Sequence, residues 1–126
     1  MSKLLAMLVT LLVGAALSAC TLTQNLSTEM QKLSTNYKVF ESSTDHKEAF
    51  TALKNMQAAT LASQKKRPVL LPQETDFKAY QALYTQLNAE IVQAQTLTQA
   101  GQLDQAKQHL KNIDTIKKAG HQAYKP

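Results

Sequence analysis

The chain of 126 residues contains no Trp, a single Cys, three Gly and three Pro, and only 18% of its residues are charged. Each shortage excludes something. One Cys leaves no internal disulfide framework, no Cys-rich zinc site and no iron–sulfur cluster. Three scattered Gly argue against Rossmann and P-loop nucleotide sites, whose loops need several Gly at close spacing. Few Gly and Pro beside many Ala, Leu, Gln and Lys favour helices. No strand-like alternation and no internal repeat occurs, and Gln is frequent without forming a tract. The net charge is +5, yet no basic stripe with interleaved aromatics points to nucleic acid. No Ser–His–Asp arrangement suggests an enzyme. The length fits one domain.

What is present begins with an address. Residues 1–20 read MSKLLAMLVTLLVGAALSAC. Lys3 gives a positive start, Leu4 to Leu17 an apolar stretch, and small residues precede Cys20. This is the layout of a secretory signal peptide, and the stretch is short against the ~20 apolar residues of a membrane-spanning helix. Leu17-Ser18-Ala19-Cys20 also resembles a bacterial lipobox, in which the Cys is lipidated and becomes the first mature residue. The alternative is an ordinary cut near Ala19 with Cys20 incidental. Both place the protein outside the cytoplasm. Thr21, not Asp, follows the Cys, which favours the outer membrane for an anchored form. The expected division is a signal peptide over 1–19 and one domain over 20–126, with 20–25 as a tether.

The mature chain reads as four helices. Leu26, Met30, Leu33, Tyr37 and Phe40 recur every three or four residues, one face of a helix. Glu41-Ser42-Ser43-Thr44-Asp45 ends it, and Thr44 or Asp45 suits the next N-cap. The second helix carries Phe50, Leu53, Met56 or Gln57, Thr60 and Leu61, and ends near Lys65. Pro68 and Pro72 forbid its continuation. Between them lie Val69, Leu70 and Leu71, an apolar run unusual for a loop. The third helix starts near Glu74, shows Phe77, Tyr80, Tyr84, Leu87, Ile91 and Ala94, and ends before Gly101. The fourth carries Leu103, Ala106, Leu110, Ile113 and Ile116, then Gly120 and His121. Four amphipathic helices with short connections predict an all-α, antiparallel up-down-up-down four-helix bundle.

That topology gathers chemistry at one end. Met30 near the start of the first helix, His121 in the last turn of the fourth, the Pro68–Pro72 loop, and Phe77, Tyr80 and Tyr84 all fall there. A thioether, an imidazole, an apolar loop and aromatic rings suit a haem, and a Met/His axial pair leaves no open position for a substrate. The residues alone also allow a plainer reading. Met on an apolar stripe fills cores, and His near a helix C-terminus complements the helix dipole. His46, in a turn, and His109, on a polar face, read as solvated; so does the Lys65-Lys66-Arg67 run.

From Asn25 to Tyr124 the chain resembles the cytochrome b-562 family. The resemblance rests on Asn25-Leu26-Ser27-Thr28-Glu29-Met30-Gln31-Lys32-Leu33 with Asn36, Lys38 and Val39. It extends through Ala52-Leu53-Lys54-Asn55-Met56-Gln57-Ala58-Ala59, Gln64-Lys65 with Pro68, Gly101 to Ala106, and Ala119-Gly120-His121-Gln122-Ala123-Tyr124. It implies a four-helix bundle that binds haem and carries electrons, with Met30 and His121 as axial ligands. Met56, Pro68, Tyr80, Tyr84 and Leu87 match pocket positions, the two Tyr standing where the family more typically has Phe. The loop after the second helix is shorter than the family's. Gly120 replaces an aromatic residue, and Lys117 and Lys125 stand where Arg is familiar, giving point charges instead of bidentate forks.

A covalent c-type haem needs Cys-x-x-Cys-His, and the residues before His121 are Lys117-Lys118-Ala119-Gly120, with no Cys. The expected cofactor is therefore non-covalent haem b. The expected protein is a non-enzymatic, periplasm-facing electron carrier, anchored to a membrane through Cys20 and serving an unidentified redox partner. Its rival is a haem-free helical envelope lipoprotein acting as an adaptor or stress-related binding module.

Overall fold

The structure, a computed structural model, describes residues 25–66 and 73–123. Residues 1–24, where the expected signal peptide and Cys20 fall, residues 67–72, with Pro68, and residues 124–126 lie outside the described residues. The first three helices are α1 (Asn25–Ser42), α2 (His46–Gln64) and α3 (Glu74–Gln99). The fourth arm comes in two pieces, α4 (Leu103–Lys107) and α5 (His109–Ala123). α1 packs on α2, α2 on α3, and α3 on α4 and α5. This is the antiparallel four-helix bundle that the apolar spacing predicts. Asn25, expected in a tether, is already helical. Among the described residues, no helix is long and apolar enough to cross a membrane.

Hydrophobic burial along the predicted stripes holds the arms together. Phe40, Leu53, Met56, Leu87, Ile91, Leu103 and Ile113 form one buried cluster, with Ala49, Ala52, Ala94 and Ala106 filling its close approaches. Leu33, Tyr37, Tyr84, Leu110 and Ile116 pack against it, half-buried. The α2 stripe differs in detail from the expected one. Leu61 is 39% exposed, and Ala49, Ala52, Ala59 and Ser63 are buried in its stead. α2 is buried along Leu53, Met56, Thr60 and Ser63, and Leu61, one residue past Thr60, lies about 100° around the helix from that line.

Two turns close one end of the bundle. Asp45 caps α2, its Oδ2 accepting from the Glu48 N–H at 3.2 Å; this satisfies one of the orphan donors of the first turn. α3 ends in a Schellman motif. The Gln102 N–H reaches Leu97 O at 2.8 Å and the Gly101 N–H reaches Thr98 O at 3.1 Å, with Gly101 at φ +78°. That left-handed conformation suits a residue without Cβ. The Lys107 ammonium donates to Ser43 O and stitches the two turns together.

The fourth arm is not the continuous helix expected. It breaks at Gln108, whose N–H reaches Gln105 O at 3.1 Å, three residues back. Residues on both sides are tied elsewhere, Lys107 to Ser43 and His109 to Glu90. The apolar spacing continues across the break, so Leu103, Ala106 and Ile113 all stay buried.

Candidate functional site

Cross-links between the helices show which residues share a level of the bundle. Asn55 Nδ2 donates to Asn36 Oδ1 at 3.1 Å, joining the middles of α1 and α2. Gln95 Nε2 donates to Gln57 Oε1 at 3.0 Å, joining α3 to α2. Towards the other end, Lys66 Nζ lies 3.9 Å from Glu29 Oε1. Gln64 Nε2 donates to Gln81 O at 3.0 Å and to Thr85 Oγ1 at 2.7 Å. A Cβ built on Gly120 would meet Leu83 Cδ1 at 3.8 Å. Met30 follows Glu29 and His121 follows Gly120. One cross-section therefore holds the Met30 turn of α1, the Ser63–Gln64 end of α2, the Tyr80–Tyr84 turns of α3 and the Gly120–His121 turn of α5.

The interior of this cross-section is aromatic and hydroxylic. Tyr80 is buried, and its hydroxyl donates to the Tyr84 hydroxyl at 3.0 Å; the ring centroids lie 4.8 Å apart, edge to face. Phe77 packs edge-on against Tyr80 at 6.2 Å. Burial, then the bond to Tyr84, holds the Tyr80 hydroxyl far above the ordinary tyrosine range. Burial also raises Tyr84, against opposing contributions from the Tyr80 and Ser63 hydroxyls beside it. Both phenols are therefore neutral at neutral pH. Ser63 is fully buried, and its Oγ makes no well-formed hydrogen bond even though Tyr84 is near.

The remaining site residues divide between core and surface. Met56 and Leu87 belong to the main cluster, with Tyr84 packed against it. Met30 is half-buried on α1 and stands outside that cluster, as do the half-buried Leu26 and Leu83. His121 is exposed in the last turn of α5. α1 and α5 form no packed interface comparable to the other helix pairs described. They approach each other at Tyr37, whose hydroxyl is raised by burial and by Asp114 and Glu41, and lowered by Lys118. A separate shallow groove on the outside of α1 and α2, lined by Asn36, Asn55, Ala58 and Ala62 among others, holds no thioether, imidazole or aromatic ring.

Two surface expectations need correction. His109 is not solvated: it is half-buried, and its Nδ1 lies 2.6 Å from Glu90 Oε2, which also accepts from Asn112 Nδ2 at 3.3 Å. Its partner is on another helix, so spacing along one helix could not reveal it. Lys66 is half-buried against Glu29 for the same reason, whereas Lys65 and His46 are exposed as expected. Ser63 went unremarked in the sequence because a hydroxyl does not register as apolar. Its position three residues after Thr60, on the buried stripe, was the available signal.

Among the described residues, no group of three or more His, Cys, Asp or Glu side chains could hold a bare metal ion. The donors at this end are one thioether and one imidazole, a pair that suits an iron whose other four positions belong to a macrocycle. The half-buried Leu26, Leu83 and Tyr84 offer apolar surface not consumed by the core. The residues present therefore fit a haem.

Comparison with known proteins agrees. A protein of Pasteurella multocida (strain Pm70) described as uncharacterized is 32% identical over 126 residues, covering 99% of this chain and 100% of its own. Residues 25–125 match the family model of cytochrome b562. That match takes in every described residue and leaves out residues 1–24, and on its strength the chain belongs to the cytochrome b562 family.

Proposed function

We propose that the protein is a b-type haem-binding electron carrier of the periplasm, with Met30 and His121 as the axial ligands. The observation that carries this is the shared cross-section of the Met30 and His121 turns in a chain of the cytochrome b562 family. Met56, Tyr80, Tyr84 and Leu87, with Pro68 from the adjoining loop, wall the haem. Bound there, the haem supplies a one-electron Fe(III)/Fe(II) couple, and two protein ligands leave no position open for substrate. The chain's own part is to hold the ring, exclude water and set the polarity around it. Lys117-Lys118-Ala119-Gly120 stand before His121 with no Cys-x-x-Cys, so attachment is non-covalent. Cys20 carries the lipid anchor, Thr21 after it favours the outer membrane, and the redox partner is unidentified.

An absorption spectrum of the purified protein tests the reading. A Soret band with sharp visible bands on reduction is expected, directly or after reconstitution with haem. His121→Ala or Met30→Ala removes the low-spin spectrum while circular dichroism keeps its helical shape. A colourless protein that takes up no haem overturns the reading and returns the haem-free envelope lipoprotein. Cys20→Ser is expected to release the protein into the soluble fraction; retention in membranes removes the anchor.

A further inference from the structure

We infer that the Ser63, Tyr80 and Tyr84 hydroxyls form a polar cluster that lowers the reduction potential of the site, an inference that rests on the haem reading above. Tyr80 donates to Tyr84 at 3.0 Å, and Ser63 adds a fully buried hydroxyl beside Tyr84 without a well-formed bond of its own. The three oxygens come from α2 and α3, at the level of the Met30 and Gly120–His121 turns. Phe at both tyrosine positions and Ala at Ser63 would fill nearly the same space without them. The hydroxyls are therefore not required for packing.

Their placement has an electrostatic consequence. An apolar shell around a redox centre disfavours the state with more charge, and dipoles in that shell favour it. Oxidation leaves the iron and its ring with one more positive charge. Buried hydroxyls that adjust their oxygens towards that charge stabilise the oxidised state. Ser63 has the most freedom to adjust, because its hydroxyl is not committed to a good partner. Tyr84 has less, since its oxygen already accepts from Tyr80.

Spectroelectrochemical titration of the intact holoprotein tests this. The double variant Tyr80→Phe, Tyr84→Phe is expected to shift the equilibrium towards the reduced state roughly tenfold, about 59 mV for a one-electron couple. Ser63→Ala shifts it the same way by less. Tyr37→Phe, which removes a hydroxyl about 10 Å along α1 from Met30, leaves the potential unchanged. A second readout needs no haem: alkaline titration of the haem-free protein shows late-ionising phenols that vanish in the double variant. If the double variant keeps the wild-type potential, the hydroxyls only pack, and the inference is overturned. An equal shift in Tyr37→Phe overturns it too, since the effect is then unspecific. A wild-type protein that binds no haem overturns both this inference and the proposed function. A red wild type with unmoved variants overturns this one alone.

Discussion

The two ends of the bundle are built differently. At the turn end, every connection is bonded into place. Asp45 caps α2, Gly101 closes α3, and Lys107 ties the α4 side to the α1–α2 turn. Phe40, Ala49, Leu53, Ala94 and Ala106 are buried there almost completely. At the other end, Leu26, Met30, Leu83 and Tyr84 stay half-buried, His121 is exposed, and the hydroxyls of Ser63, Tyr80 and Tyr84 stand inside. A chain this small divides its tasks between its ends. Burial at the turn end and mid-bundle supplies the stability that single helices lack. The other end can then hold polar groups and incompletely buried side chains, which is what the proposed haem site would require of it.

This contrast sets the order of expected stability changes. Leu53→Ala or Ile91→Ala removes a fully buried side chain from the common core and costs about 2–5 kcal/mol in denaturant melts of the haem-free protein. A loss like that of a surface mutant would show that the core is not the main support. A smaller loss comes with alkali, from the site end. Tyr80 and Tyr84 have raised pKa values when folded, so their contribution is complete below the unfolded value of 10.0 and fades as pH rises beyond it. Melts of wild type and the double Phe variant between pH 9 and 12 are expected to diverge above pH 10, with wild type falling faster.

Gly101→Ala forces a Cβ into a left-handed conformation and costs about 1–2 kcal/mol. Asp45→Ala removes the α2 cap and costs about 1 kcal/mol. Both readings come from the same melts, and values near zero would loosen the claim that bonded turns define this end. The smallest change belongs to His121→Ala. An exposed side chain in a last turn alters stability by less than about 0.5 kcal/mol, while the proposed haem spectrum disappears. A large loss of apoprotein stability in that variant would mean that the two ends do not divide the work.

Much of this was legible in the residue order. The stripe Phe77, Tyr80, Tyr84, Leu87, Ile91 faces inward over its whole length because a period near 3.6 permits nothing else for one apolar face. Asp45 and Gly101 are readable because capping chemistry is local. What was not legible depends on partners distant in sequence. His109 looked solvated until Glu90 of α3 stood beside it, and Lys66 until Glu29 of α1 did. Leu61 is exposed because the neighbouring helices cover the Leu53, Met56, Thr60 and Ser63 face of α2, a choice of face made by where those neighbours lie. The break at Gln108 has no Pro or Gly to announce it.

Residue order is enough to place the helices, their succession, the two capped turns and the end of the bundle that Met30, His121 and the aromatic residues share. These follow from periodicity and local backbone chemistry, which act within a few residues. It takes the packing of helices against one another to set the Tyr80 hydroxyl on that of Tyr84, to bury Ser63 and to give His109 its partner Glu90. Those pairings are set by the relative height and closeness of packed helices, quantities that no single helix contains.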